Sequence, residues 1–350
     1  MLTESLAIDR PSKNRWITRL AVFVGCLAWG AAGCGPLDAT DAAQSDEAAS
    51  TRVVQSAVSS CRGAPYPIVL AHGFAGFERI GPLNYFFNVA NDLRGRGETV
   101  IEAQVPPFDS SAVRATHLAG VIDDVLRSTG ACKVNLIAHS QGGIDARYLI
   151  SSLHYGDRVA GLVTVASPHR GTPVADAALG LIPGFSYDLI NAILRALWGG
   201  LASAPGDAKV QASLRQLSRD FMQRSFNPAN PDDARVKYYS VAGRSSGKRA
   251  DAECAGGAWG NSSRIDLLDP LLSVAIPVFA LTSPNPLDPV ANDGLVTVAS
   301  SRWGTFLGCV PADHLDEVGQ IAHLLPDLIS GFDHRAFYRR LAQTLHRDGL

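Results

Sequence analysis

The chain has 350 residues, of which 46% are hydrophobic, and a formal net charge of −2 at pH 7. This balance is typical of a globular protein with a large core, and it argues against nucleic-acid binding, which needs a basic surface. No segment repeats at a fixed period, which argues against a solenoid or a propeller and favours one large α/β domain.

The first 33 residues have the pattern of an export signal. Basic residues between Arg10 and Arg19 precede an apolar stretch at 20–33 that is too short to span a bilayer. The stretch ends in Ala-Ala-Gly before Cys34, and these small residues resemble the lipobox of bacterial lipoproteins. We therefore predict lipidation of Cys34 and a place in the cell envelope. The alternative is ordinary cleavage near the same residues and release as a secreted protein.

Residues 34–60 are predicted to form a flexible tether. Their composition is mainly small and polar, with too few large apolar side chains to fold alone. The folded domain is therefore expected to cover residues 61–350.

The cysteines of the predicted domain support export, because their number is even, as a disulfide framework requires. Besides Cys26 and Cys34 in the export segment, the sequence has Cys61, Cys132, Cys254 and Cys309. These four can pair in three ways, between which the sequence does not decide. We favour Cys61 with Cys132 and Cys254 with Cys309.

Two segments have the pattern of a buried parallel strand that runs into a loop. Apolar residues at 66–71 precede a glycine-containing loop at 72–76, and a second apolar run at 133–138 precedes the loop at 139–143. Helical spacing of apolar residues predicts one helix over 113–128 and another over 144–153.

The second loop has the residues of a nucleophile elbow. A serine in a tight turn between strand and helix exposes its hydroxyl only if its neighbours are very small, and Ala138 and Gly142 flank Ser140 at those positions. Glycine is the usual residue where Ala138 stands. The helix that follows would direct backbone N–H groups at a developing oxyanion.

Together, five segments resemble the bacterial true lipases of the Pseudomonas and Burkholderia type. The segments are 71–76 (AHGFAG), 138–143 (AHSQGG), 167–173 (SPHRGTP), 292–296 (NDGLV) and 314–320 (HLDEVGQ). The resemblance implies an α/β-hydrolase fold, with a mostly parallel central sheet flanked by helices and a helical lid. It also implies hydrolysis of water-insoluble lipid esters by Ser140, with an oxyanion hole formed by the backbone N–H groups of Phe74 and Gln141.

The base and the acid are expected downstream of the serine. His314 lies in a loop before a predicted helix and matches the catalytic histidine of these lipases, whereas His323 falls inside that helix. Asp293 matches the catalytic acid and precedes a strand-like run at 295–298, although Asn-Asp-Gly also favours a simple turn. Asp288 is the alternative acid.

The same resemblance implies a structural Ca²⁺ site. Its ligands would be Asp269, Asp316, Gln320 and the carbonyl of Leu324, which supply the oxygen atoms that Ca²⁺ prefers. The ion would tie the loop of His314 to the segment before the acid. The alternative is that Asp316 and Glu317 only stabilise a helix N-terminus.

A strongly apolar segment at 178–201 predicts a lid, which would cover the site in water and open at a lipid surface. A buried core helix is the alternative. The lid and the lipid anchor would both bring the protein to a membrane or an oil surface. The resemblance also implies a lipase-specific folding chaperone as a further partner.

Other functions fit the same residues. A carboxylesterase, a phospholipase or a polyester hydrolase would use the same triad on another ester. A surface lipoprotein that keeps the fold for binding alone is a more remote alternative, because it would not need Ser140, Asp293 and His314 together.

Overall fold

The computed structural model describes residues 61–76, 79–80, 83–185, 208–245, 250–260, 264, 266–320 and 330–350. The predicted signal, the tether with Cys34, positions 186–201 of the predicted lid, His323 and Leu324 lie outside the described residues.

The described strands build one main sheet and one small pair. In chain order they are β1 (Ile68–Ala71), β2 (Arg79–Ile80), β3 (Leu83–Asn84), β4 (Val100–Ala103), β5 (Val134–His139), β6 (Val159–Val165), β7 (Lys237–Gly243) and β8 (Thr305–Val310). Six of them form a parallel sheet in the order β4-β1-β5-β6-β7-β8. The strands β2 and β3 pair antiparallel.

Helices connect and cover these strands. They are α1 (Val89–Arg94), α2 (Ser111–Thr129), α3 (Gln141–Ser151), α4 (Pro173–Ala178), α5 (Ala208–Leu217), α6 (Arg219–Phe221), α7 (Asn227–Ala229), α8 (Ala250–Glu253), α9 (Ile276–Thr282), α10 (Val298–Ser301) and α11 (His334–Arg347). A π-helical turn at Met222–Phe226 lies between α6 and α7, and 3₁₀ turns lie at Tyr155–Asp157, Ser273–Ala275 and Asp316–Val318. None of the described helices has the length and hydropathy needed to cross a membrane.

The core has two layers because the central strands are buried on both faces. Alternate residues of β1 point to opposite sides, so that Ile68 and Leu70 pack on one layer and Val69 and Ala71 on the other. The first layer contains side chains of α1 and α11, and the second contains side chains of α2 and α3. Burial on both faces explains why these strands are continuous apolar runs.

The predicted strands and helices at β1, α2, β5 and α3 are confirmed, with boundaries that differ by a few residues. Local chemistry defines the ends of α2. The Ser110 hydroxyl accepts a hydrogen bond from the N–H of Val113 at the start, and Gly130 ends the helix at φ 67°. The predicted α/β-hydrolase architecture is therefore present.

The strand expected at 295–298 is wrong. The N–H groups of Leu295 and Val296 both donate to the carboxylate of Asp293, at 2.8 and 2.6 Å. These bonds curl the chain around the side chain, and the residues from Val298 onward form α10. A short apolar run alone does not distinguish these two outcomes.

Both favoured disulfides are confirmed. Cys61 and Cys132 have Cα atoms 5.0 Å apart and join the segment before β1 to the segment before β5. Cys254 and Cys309, with Cα atoms 5.5 Å apart, join the residue after α8 to β8. Both distances lie in the range that disulfide geometry allows.

Candidate active site

Ser140 lies at the corner between β5 and α3, with φ 55° and ψ −128°. This left-handed conformation is strained for a residue with a side chain and persists only where the surroundings impose it. Gly142 shows how tight the corner is, because a Cβ atom there would lie 2.5 Å from the carbonyl oxygen of Ala71. The glycine predicted at this position of the elbow is therefore required by the neighbouring strand β1.

Ser140, His314 and Asp293 form one hydrogen-bonded chain. His314 Nε2 lies 2.9 Å from Ser140 Oγ, and His314 Nδ1 lies 2.8 Å from Asp293 Oδ2. All three residues are buried, and Ser140 and His314 line the same pocket. A neutral imidazole in this position accepts the serine proton on one nitrogen and donates its other N–H to the carboxylate.

Backbone hydrogen bonds orient the side chain of the acid toward the base. Asp293 Oδ1 accepts the N–H groups of Leu295 and Val296, which leaves Oδ2 for His314. The N–H of His314 also donates to the carbonyl of Asp293 at 2.9 Å. Asp288, the alternative acid of the sequence prediction, belongs instead to a turn in which its N–H donates to the carbonyl of Asn285.

A second buried chain runs alongside the first, and the sequence prediction missed it. Glu317 Oε2 lies 2.9 Å from His139 Nε2, and His139 Nδ1 lies 2.7 Å from the Tyr85 hydroxyl. The rings of His139 and His314 have centroids 4.5 Å apart. The available signal was that Glu317 follows His314 by three residues, which places both on one side of a helical turn.

Burial favours the neutral forms of His139 and Glu317 in this second chain. It lowers the pKa of His139 well below its usual value, and the neighbouring His314 lowers it further. Burial raises the pKa of Glu317 well above its usual value, with Asp293 as the next cause. A protonated Glu317 donates to Nε2 of His139, whose Nδ1–H then donates to the Tyr85 oxygen. The side chain that contacts Nδ1 of His314 is that of Asp293.

The residues predicted for the oxyanion hole flank Ser140. Gln141 is the first residue of α3, where backbone N–H groups have no intrahelical acceptor. Phe74 lies in the turn after β1 and lines the pocket with Ser140. A Cβ atom at Gly73 would lie 2.6 Å from the Cβ of Ser140, so the backbone before Phe74 passes directly beside the serine.

Arg114 of α2 holds that loop. Its guanidinium donates to the carbonyls of His72 and Gly73 at 2.8 and 3.2 Å, and it also bonds the carbonyl of Pro106. Its Nε–H donates to Asp145 of α3 at 2.7 Å, and both side chains are almost completely buried. Burial, with the nearby Arg114 charge, lowers the pKa of His72 to about 3. Arg114 therefore connects the loop at His72 and Gly73 to Asp145 on helix α3.

The pocket beside Ser140 has apolar walls. They include Val174, Leu214, Leu217, Leu295, Leu315 and Val318. Such walls suit a hydrocarbon chain. The polar residues of the lining are those of the two hydrogen-bonded chains, together with Thr172 and Gln320.

Three carboxylates converge behind the loop of His314. Oxygen atoms of Asp266, Asp313 and Asp316 lie within 4.8 Å of one another. Burial raises the pKa of Asp313, while N–H groups of Asp316, Asp269 and Leu315 act in the other direction. Clustered carboxylate oxygens are suitable ligands for a hard cation such as Ca²⁺.

Of the two predicted ligands that are aspartates, both of them among the described residues, one belongs to this cluster. Asp316 belongs to it, whereas Asp269 donates its N–H to Asp313 at 2.8 Å and accepts the N–H of Leu271 on its own carboxylate. The side-chain N–H group of Gln320 donates to the carbonyl of Tyr85 at 2.6 Å. Asp266, which the sequence prediction did not include, also belongs to this cluster.

Comparisons with known proteins show the family of the chain. The family model described as alpha/beta hydrolase fold matches residues 66–271. A triacylglycerol lipase of Vibrio cholerae serotype O1 is 32% identical over 310 residues, covering 81% of this chain and 89% of the relative. A triacylglycerol lipase of Pseudomonas fragi is 30% identical over 278 residues, covering 73% of this chain and 89% of the relative.

Solved structures share the fold. The lipase BlEst2 of Bacillus licheniformis superposes with a TM-score of 0.54 at 20% identity, over 81% of this chain and 94% of that one. The metagenomic carboxyl esterase MGS0156 gives a TM-score of 0.59 at 22% identity, over 83% and 78% of the two chains.

Proposed function

The chain belongs to the alpha/beta hydrolase fold family and is a carboxylic ester hydrolase acting on lipid esters, and we propose that Ser140, His314 and Asp293 perform this hydrolysis. The 2.9 Å contact between His314 Nε2 and Ser140 Oγ carries the proposal. Triacylglycerol is the substrate that we propose, in line with the names of the relatives.

In the first half-reaction Ser140 Oγ attacks the ester carbonyl while His314 Nε2 takes its proton. Asp293 keeps the imidazole in the required tautomer and stabilises the imidazolium that forms. The N–H groups of Phe74 and Gln141 hold the negative oxygen of the tetrahedral intermediate. His314 then protonates the leaving alcohol oxygen, and the fatty acyl group stays on Ser140.

In the second half-reaction water attacks the acyl carbonyl, with His314 as the base again. The fatty acid leaves, and Ser140 recovers its proton.

A fluorophosphonate probe tests this mechanism. We expect covalent labelling of the purified full chain at Ser140, and loss of both labelling and ester hydrolysis in Ser140→Ala. Hydrolysis by Ser140→Ala at a rate near that of the unmodified chain would reject the mechanism.

We further propose a structural Ca²⁺ ion held by Asp316 and Asp266, with Asp313 beside them. The convergence of three carboxylates supports this site, because like charges this close repel one another and burial raises the pKa of Asp313. When bound, the ion supplies a cross-link between the loop of His314 and the segment before α9 and takes no part in the ester chemistry.

Chelation tests the calcium site. Removing Ca²⁺ from the full chain is expected to lower its Tm by at least about 4 °C, because a ligand bound only to the folded state stabilises it. Asp316→Asn should abolish this response, and Asp269→Asn should keep it. An equal Tm with and without Ca²⁺ for the unmodified chain would contradict the proposal.

The export properties are also proposals based on the sequence. The two disulfides are consistent with an oxidising compartment. We propose that Cys34 carries the lipid anchor. A labelled fatty acid should become attached to the full chain and should not become attached to the Cys34→Ser variant.

A lipase-specific chaperone is proposed for folding during export. Spontaneous refolding of the chain to active enzyme without a chaperone would contradict that partner.

The proposed lid at 178–201 predicts an abrupt rise in rate when the substrate exceeds its solubility. A smooth saturation curve through that concentration would argue against it.

A further inference from the structure

One backbone carbonyl connects the nucleophile helix to helix α5. The carbonyl oxygen of Asp109, which lies before α2, accepts two side-chain hydrogen bonds. The amide of Gln141 donates one at 3.1 Å, and the hydroxyl of Ser213 donates the other at 2.7 Å. Gln141 is the first residue of α3, and Ser213 lies on α5. The two helices are therefore held to the same oxygen atom.

The contact between Asp109 and α5 is doubled and buried. The hydroxyl of Ser213 also accepts the N–H of Asp109 at 2.9 Å, and Ser213 is fully buried. Two residues further along, the side-chain oxygen of Gln216 accepts the N–H of Ser111. Since buried polar groups are costly to leave without partners, these bonds keep α5 in one position relative to Asp109.

The residues before Asp109 contact the loop of Phe74. The N–H of Ala75 donates to the carbonyl of Pro107 at 2.7 Å. The ring of Phe108 meets that of Phe74 edge-on, with centroids 5.1 Å apart. We call residues 107–109 the bridge segment. It contacts both residues whose N–H groups form the proposed oxyanion hole.

Helix α5 also supplies part of the apolar pocket wall. Leu214 and Leu217 line the pocket beside Ser140. Leu214 belongs to the same hydrophobic cluster as Phe108 of the bridge segment. The pocket wall and the residues of the oxyanion hole are therefore joined by direct contacts.

From these contacts we infer that Ser213 is a positioning residue for the oxyanion hole, and that it acts on Gln141 through the Asp109 carbonyl. Ser213 acts through the bridge segment and not by contact with the ester. Its effect belongs to the transition state, because the ester oxygen gains its negative charge only there. The inference rests on the proposed ester hydrolysis and adds a residue to its machinery.

Kinetics of Ser213→Ala on p-nitrophenyl butyrate, below its solubility limit, tests this role. We expect kcat to fall at least about tenfold and KM to change by less than about twofold, because ester binding before attack does not use the hole. Ser301→Ala is the matched control. Ser301 is also buried, and its hydroxyl donates to the carbonyl of Thr297, which begins its own helix α10. This variant should keep kcat within about twofold of the parent.

Inhibition by trifluoromethyl hexyl ketone reports on the hole itself. Ser140 Oγ adds to the ketone carbon, the serine proton passes to His314, and the alkoxide oxygen that forms occupies the hole. Ser213→Ala should weaken this inhibition at least about tenfold. Competitive inhibition by octanol, which places no negative oxygen in the hole, should change by less than about twofold.

A second substitution tests the path through Asp109. Gln141→Met removes the side-chain amide and keeps the backbone N–H, so it should show the same fall in kcat with little change in KM. Adding Ser213→Ala to Gln141→Met should then lower kcat by less than about threefold further, since both substitutions break one path. Gln141→Met leaves the contact of α5 intact, so it also tests the path if Ser213→Ala does not fold.

Three outcomes would overturn the inference while the parent chain is active. The first is a kcat of Ser213→Ala within about twofold of the parent, and the second is full multiplication of the two effects in the double variant. The third is a lower Tm of Ser213→Ala with ketone inhibition unchanged, which would assign Ser213 a structural role. A parent chain that neither hydrolyses the ester nor binds the ketone would instead reject the proposed function.

Discussion

At the scale of single residues, position 73 has room only for glycine, because two neighbouring side chains occupy the space that a Cβ atom would need. A Cβ atom there would lie 2.6 Å from the Cβ of Ser140 and 2.9 Å from the Tyr85 hydroxyl. We expect Gly73→Ala to lower kcat for ester hydrolysis at least about tenfold, because the loop that presents the N–H of Phe74 must shift. Gly120→Ala is the control, since Gly120 of α2 has open space around its Cα and alanine favours the helix. An unchanged kcat in Gly73→Ala would show that the loop is not held against the serine.

The two candidate acids differ in what they contact. Asp293 faces His314, whereas Asp288 lies in a separate turn. Asp293→Asn should lower kcat at least about a hundredfold through loss of the imidazole tautomer, and Asp288→Asn should leave kcat within about threefold. Steady-state kinetics on p-nitrophenyl esters measures both. The opposite ranking would exchange their roles.

At the scale of secondary-structure elements, Arg114 connects α2 to the oxyanion loop and to α3. Arg114→Lys keeps a positive charge near Asp145 but cannot reach the carbonyls of His72 and Gly73 at once. We expect this substitution to lower the free energy of unfolding by about 2–4 kcal/mol and to lower kcat.

The control for Arg114 is Arg127→Lys on the same helix. Arg127 pairs with Asp124 on the surface, where both side chains are more than two-thirds exposed, and such pairs contribute little. Urea unfolding monitored by circular dichroism should therefore separate the two variants. Equal urea midpoints for the two variants would show that Arg114 does not stabilise the contact between these elements.

Element boundaries also show where sequence patterns were insufficient. The strand–turn–helix order around Ser140 was predictable because apolar runs and glycine spacing are local properties. The run at 295–298 became a turn and part of a helix because of the Asp293 carboxylate. Glu317 and Tyr85 were missed because their role depends on His139, which is remote from both in the sequence.

At the scale of the whole molecule, buried histidines make stability depend on pH. Burial lowers the pKa of His169 well below its usual value, and the charges of Arg147 and Arg170 add to this. The unfolded chain then binds a proton below about pH 6.5 that the folded chain does not bind. The stabilisation is complete above that pH and is lost as the pH falls below it.

His169→Gln should therefore make the free energy of unfolding fall less between pH 7 and pH 5 than it does in the unmodified chain. His117 is exposed on α2, and His117→Gln should leave the pH dependence unchanged. Denaturant titrations at the two pH values measure the change in the free energy of unfolding for each variant. An equal change for His169→Gln and the unmodified chain would mean that His169 is protonated in the folded state at pH 5.

The sequence alone predicted the fold class and, through a family resemblance, the nucleophile with its acid and base, because short motifs express local constraints. It left three cysteine pairings open, and the structure has Cys61–Cys132 and Cys254–Cys309. Only the tertiary structure decided the Glu317–His139–Tyr85 chain, the place of Asp266 beside Asp316, and the hydrogen bonds that join Asp109 to α3 and α5. These features depend on which distant segments meet at the carboxyl ends of the strands. Burial at that edge then sets the charge state of each group.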